Sequence, residues 1–234
     1  MAFLIYQNMK HKLYLSIILV ALSTQMSIAQ EFTKWKDSLD IVNKQLMYHQ
    51  DSLNLHLNKA AINIQMEHWD YAIDEYNFVL GKQPFNPAAL FYRAYAYDHQ
   101  KRYKFARADY EKLLKILPFN FEARLSLALV NQKDHHYTDA YDVINHLVEM
   151  FPDSANAYAG RAGIESERNM YDVAIYDYGE AIQRAPDNTN LYIARANLYI
   201  KLNKYNEARN DLEAAVKKGE NRAALREMFA RCGK

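Results

Sequence analysis

Residues 87–120 read PAALFYRAYAYDHQKRYKFARADYEKLLKILPFN, and much of the remaining chain is a variation on them. Leu90, Arg93, Ala94 and Tyr97 lie at intervals that share one face of a 3.6-residue helix; Ala106, Tyr110 and Leu113 repeat the spacing before Pro118 interrupts it. The stretch therefore predicts two amphipathic helices within thirty-four residues, the second stopped by proline. Shifting by the same length superimposes Pro84, Pro118, Pro152 and Pro186. It also superimposes Ala60, Ala94, Ala128, Ala162, Ala196 and Ala230, a second series Ala72, Ala106, Ala140, Ala174 and Ala208, and the aromatic series Trp69, Tyr103, Tyr137, Tyr171 and Tyr205. Columns held in phase over this distance are an internal repeat.

The order Leu90-x2-Arg93-Ala94-x2-Tyr97, Ala106-x3-Tyr110, Pro118 resembles the tetratricopeptide repeat family over about residues 53–222. The resemblance implies an all-α fold, a right-handed superhelical solenoid of five helix-turn-helix repeats at 53–86, 87–120, 121–154, 155–188 and 189–222. Capping helices are expected on either side, at 30–52 and 223–234. Two departures stand out. The family's tryptophan and Leu-Gly pair give way to Lys59-Ala60, Arg93-Ala94, Arg161-Ala162 and Arg195-Ala196, and the fifth repeat ends on Gly219-Glu220 in place of proline.

Physical chemistry accounts for the columns. Where two helices cross closely, a side chain longer than alanine overpacks. The turn between the helices needs a left-handed residue, a role open to Asn169 and Asn203 and less natural for Lys101 and His135. Asp51-Ser52 offers oxygens to cap the next helix. Trp35, Leu39, Val42 and Leu46 form the apolar stripe of the amino-terminal helix. From Arg222 to Arg231 the pattern is again helical, with Leu225, Met228 and Phe229 turned inward and Arg222, Arg226, Glu227 and Arg231 expected on an outer face that closes the array. Lys59, Arg93, Arg161 and Arg195 each have an acid sixteen residues on, at Glu75, Asp109, Asp177 and Asp211; the third repeat loses both partners together, as Leu127 and Val143. These are expected to be ion pairs between the two helices of a repeat.

Residues 1–29 read as an export leader. Lys10, His11 and Lys12 precede the apolar run Leu13–Leu22, and Ser27-Ile28-Ala29 supplies small residues for cleavage after Ala29. Met9 sits where a shorter leader of the same type would begin. The run is about half the roughly twenty residues a spanning helix needs, so no stable membrane span is expected after cleavage, and the chain is expected to be periplasmic or secreted. Losing Lys10 and Lys12 with a leader that holds no acid turns the formal charge from +1 to −1, which provides no general attraction for nucleic acid. The single cysteine, Cys232, has no partner for an internal disulfide.

Catalytic and metal signatures do not emerge: His135 and His136 fall in a turn and point apart, and no His-Glu-x2-His, phosphate-binding glycine loop or nucleophile elbow occurs. No cofactor, metal or catalytic residue is expected. The family resemblance implies instead that first helices line a concave groove that holds a peptide or helix of a partner protein. Candidate groove residues are Asn54, Asn58, Tyr92, Tyr95, His99, Ser126, Lys133, Asn156, Gly160 and Asn197, with Gly163 and Lys201 on the same faces. Tyrosines suit partner contacts, while Tyr95 and the glycines have packing readings as well. The lysine–asparagine–arginine set with which some family members grip a terminal carboxylate is absent from any three consecutive repeats. The alternative function is that of a structural subunit that self-associates or assembles in the cell envelope through its outer face or ends.

Overall fold

The computed structural model describes residues 32–233. The expected leader at 1–29, its cleavage after Ala29 and the start at Met9 lie outside the described residues. Two compact units make up the chain, the first ending at Gln100 and the second beginning at Lys101. Unit 1 holds α1 (residues 32–48), α2 (Leu53–Gln65), α3 (Trp69–Lys82) and α4 (Pro87–His99). Unit 2 holds α5 (Tyr103–Ile116), α6 (Phe121–Lys133), α7 (Tyr137–Met150), α8 (Ala155–Glu167), α9 (Tyr171–Arg184), α10 (Thr189–Lys201), α11 (Tyr205–Lys217) and α12 (Arg226–Arg231). Within unit 1, α2, α3 and α4 pack in succession and α2 also meets α4; within unit 2 successive helices pack from α5 to α12 and α6 meets α8. Among the described residues there is no strand, and the all-helical repeat solenoid expected from the columns is what forms.

Each column has a local job. The aromatic residues Trp69, Tyr103, Tyr137, Tyr171 and Tyr205 are the first residues of α3, α5, α7, α9 and α11. The second helices of the first four repeats end at Lys82, Ile116, Met150 and Arg184, two residues before a proline that has no amide hydrogen to continue them. Both alanine series, from Ala60 to Ala196 and from Ala72 to Ala208, have no exposed surface at all. Ala230 keeps their phase on α12 yet is exposed, since no described helix pairs with α12 as α11 does with α10.

The turns settle the question raised by Lys101 and His135. Glu67, Lys101, His135, Asn169 and Asn203 all take the left-handed conformation, with φ between 57° and 62°. A non-glycine residue gives up on the order of 1–2 kcal/mol there. The return is a closed helix end: the amides of His68, His136, Met170 and Lys204 reach back to the carbonyls of Asn63, Asn131, Glu165 and Tyr199 at 2.8–2.9 Å. In the fifth repeat the left-handed asparagine is also held from the side, by Tyr205 Oη donating to Asn203 Oδ1 at 2.7 Å.

First helices start on side-chain caps at Asn86, Asn120, Ser154 and Asn188. Ser52 departs from the expectation. It occupies the N-cap of α2 but its hydroxyl makes no capping bond, and Asp51 is drawn instead towards Lys82, 3.5 Å away. The carboxyl-terminal helix is also shorter than its sequence pattern: residues 222–225 form turns, with Asn221 Oδ1 accepting from the Ala223 amide, and α12 begins only at Arg226. Leu225 and Cys232, with Met228 and Phe229, pack onto the cluster of Tyr192, Ala196, Ile200, Leu212 and Ala215, so the segment does cover the apolar end of α10 and α11.

Candidate partner-binding faces

In unit 1 the candidates separate into free and engaged groups. Asn54 and Asn58 are exposed on α2. On α4, His99 stacks on Trp69 at 4.2 Å, and Tyr95 contacts both rings, at 4.4 Å from His99 and 6.0 Å from Trp69. That trio ties the end of α4 to the start of α3, so Tyr95 is partly covered and His99, though exposed, has one ring face taken by Trp69. Tyr92 differs: it is 47% exposed, with one face stacked over Tyr76 at 6.4 Å and Phe91 against its edge. Tyr76 beneath it is fully buried, and burial, reinforced by Tyr92, keeps its phenol protonated. Tyr92 is thus an anchored ring with an open face, the form of aromatic residue best suited to a partner contact.

In unit 2, Lys133, Asn156 and Asn197 are exposed and Ser126 is partly covered. The two glycines of α8 have different surroundings. A Cβ at Gly160 would sit 2.6 Å from Leu125 Cδ1, so its absence lets α6 approach; a Cβ at Gly163 would meet nothing within 4 Å. Asn197 lies on a cavity of 390 Å3 shared with Ser166, Tyr178, Lys201 and Arg231. Arg231, expected on an outer face, is exposed and also lines this cavity beside α10.

Three of the expected interhelical pairs form. Lys59 meets Glu75 at 2.7 Å, Arg161 grips both oxygens of Asp177 at 2.5 and 2.8 Å, and Arg195 grips Asp211 at 2.7 and 2.8 Å. Arg93 bonds Asn77 Oδ1 at 2.7 Å. The third repeat replaces its pair with apolar contact: Leu127 is buried and Val143 packs beside Ile144 and Leu147. Hydrogen bonding to the carboxylate raises the Arg161 and Arg195 guanidinium pKa values further, so both remain charged.

One functional-looking group has no counterpart in the sequence reading. Glu165 of α8 is 3% exposed, its Oε2 has no hydrogen-bond partner among the described residues, and its carboxyl pKa is raised to about 7. Burial is the main cause and the neighbouring Asp177 carboxylate the second, with Arg161 opposing both. At the same point of other repeats stand Asn63, Tyr97, Asn131 and Tyr199. The column always carries a polar tip but changes residue, so no motif flags it.

Histidine and cysteine chemistry is muted. His135 bonds Tyr137 Oη at 2.7 Å and His136 lies 3.4 Å from Asp134; no group of three or more metal-binding side chains occurs among the described residues. Cys232 is buried, which pushes its thiol pKa up. Among the described residues no helix is long and apolar enough to cross a membrane.

Comparison with known proteins agrees with this geometry. Models of the tetratricopeptide repeat match residues 62–121 and 167–232, together more than half of the chain. A tetratricopeptide repeat protein from Parabacteroides merdae ATCC 43184 is similar at 22% identity, over 89% of this chain and 81% of that one, with a TM-score of 0.68. MamA from Desulfovibrio magneticus RS-1 shares 17% identity over 71% of this chain and 94% of its own, with a TM-score of 0.60. YrrB, described as a TPR protein with an unusual peptide-binding site, shares 17% identity over 76% and 92%, with a TM-score of 0.54. At these identities the likeness speaks for the fold. No curated protein matches the chain.

Proposed function

Because the chain belongs to the tetratricopeptide repeat family, we propose that it is an exported, non-catalytic interaction module that holds a peptide or helix of a partner protein against its first helices. The observation that carries this reading is Tyr92, a ring fixed from below by Tyr76 and open above, with Asn54 and Asn58 exposed on a first helix of the same unit. Burying such an anchored aromatic loses little conformational freedom, and asparagine amides can pair with a partner's backbone. The peptide-binding site named for YrrB lends support by fold. Export is supported by the basic, apolar and small-residue order of residues 1–29, and it places the chain in the periplasm of a Gram-negative source or outside the cell.

The test is capture of partners from envelope extract by the chain beginning at Gln30, beside its Tyr92→Ala and Asn58→Ala variants. Capture should fall in the variants while their mass in solution stays that of the parent. Unchanged capture, with assembly lost on deleting 223–234, would establish the rival reading of a self-assembling envelope subunit, which the exposed Phe85 and Phe119 favour. Amino-terminal analysis of the protein made from the full gene should find Gln30 first; an intact leader on a cytosolic product would refute export.

A further inference from the structure

The cavity at the end of unit 2 opens between α8, α9, α10 and α12 and measures 390 Å3, room for an amino-acid side chain and its peptide group. Asn197 and Lys201 stand one turn apart on the same face of α10, and Arg231 comes from α12. Ser166 of α8 and Tyr178 of α9 add two hydroxyls, and no carboxylate is among the lining residues. The Lys201 ammonium lies 4.9 Å from the centre of the Tyr171 ring, a neutral partner that leaves its charge uncompensated. The Tyr178 phenol has its pKa raised by burial and stays a hydrogen-bond donor. Two like charges and three further donors around one concavity, with no acid among the described residues that line it, call for an anion from outside.

We infer that this cavity is a subsite for an aspartate or glutamate side chain of the bound partner, a refinement that rests on the reading of the chain as an interaction module. The planar guanidinium of Arg231 matches the two oxygens of one carboxylate, Lys201 adds a point charge, and the Asn197 amide remains to pair with the neighbouring peptide group. A phosphoryl dianion is the weaker match, since sites for it gather several arginines. Gly163, one turn before Ser166 on α8, would meet nothing within 4 Å if it carried a Cβ, so that wall leaves space for a segment to run past.

The experiment is fluorescence anisotropy with the chain from Gln30 onward. Its probes are a set of labelled peptides, acetylated and amidated at their ends, each carrying a single Glu, Gln or phosphoserine in the same neutral contexts. The best Glu peptides should bind at least about tenfold tighter than their Gln twins, the worth of one charge-assisted contact. Arg231→Ala and Lys201→Ala should each remove most of that preference without moving the Gln affinity, and Arg231→Lys should restore part of it. Both sites are exposed, so unchanged circular dichroism melting will show that the fold is intact. Equal affinity for Glu and Gln, preference for phosphoserine, no binding by any Glu peptide at millimolar concentration, or indifference to both variants would each overturn the assignment. If capture of partners falls with Tyr92→Ala but not with Arg231→Ala, the acidic subsite fails and the module reading stands.

Discussion

Glu165 should make the stability of unit 2 depend on pH across the neutral range. In the folded chain its carboxyl titrates at about 7, against about 4.3 in an unfolded chain. Between those values the folded state keeps a proton that the unfolded state has released, so this group's contribution is greatest below about pH 4.5 and is lost as pH rises through 7. The groups facing it are Asp177 from α9, Tyr141 from α7 and Arg161 from its own helix. A shift of that size has a ceiling of about 3.5 kcal/mol, and relaxation around the charge leaves roughly 1–3 kcal/mol. Glu165→Gln keeps the shape and abolishes the titration. Urea unfolding followed by circular dichroism, with hydrogen exchange of the α8 and α9 amides, should find the variant equal to the parent near pH 5 and more stable by that margin at pH 8. Glu165→Tyr, the residue found at Tyr97 and Tyr199, should behave likewise. Parallel stability curves for parent and Gln variant between pH 5 and 8 would refute the argument.

Other substitutions probe the packing and the turns. A double-mutant cycle on Arg161 and Asp177 should give a coupling of about 1–3 kcal/mol, whereas the solvent-exposed Arg222–Glu213 pair should show none that survives high salt. Gly163→Ala should stabilise the chain by about 1 kcal/mol in urea titrations, since a helix interior gains and nothing is crowded; Gly160→Ala should forfeit that gain, because Leu125 must move. His135→Gly and Glu67→Gly should raise the melting temperature, by up to about 1 kcal/mol of relieved backbone strain, and Asn169→Ala should lower it.

What the sequence made legible was whatever repeats. The aromatic residues that open α3, α5, α7, α9 and α11, the prolines behind the second helices and the fully buried alanines are each dictated by local chemistry copied every thirty-four residues. The pairing of Arg161 with Asp177 and of Arg195 with Asp211 was legible for the same reason, and the joint loss at Leu127 and Val143 strengthened it. What stayed hidden depends on a single neighbour. Trp69 captures His99 thirty residues away, Leu125 fills the space at Gly160, and Arg231 lines one cavity with Lys201. Glu165 carries no sequence signal because its column reads Asn, Tyr, Asn, Glu, Tyr, and only packing distinguishes a carboxyl with an unpaired oxygen from an ordinary polar residue.

The helix-start cap, the left-handed turn and the charged pair of the fourth hairpin, at Ser154, Asn169 and Arg161–Asp177, all close inside that hairpin, and the fifth does the same with Asn188, Asn203 and Arg195–Asp211. A gene that duplicates or discards one such module severs none of these bonds, so chain length can drift across generations in steps of thirty-four while folding is preserved. Recognition would then evolve by adding or subtracting whole helices from the contact face, leaving the scaffold's grammar untouched.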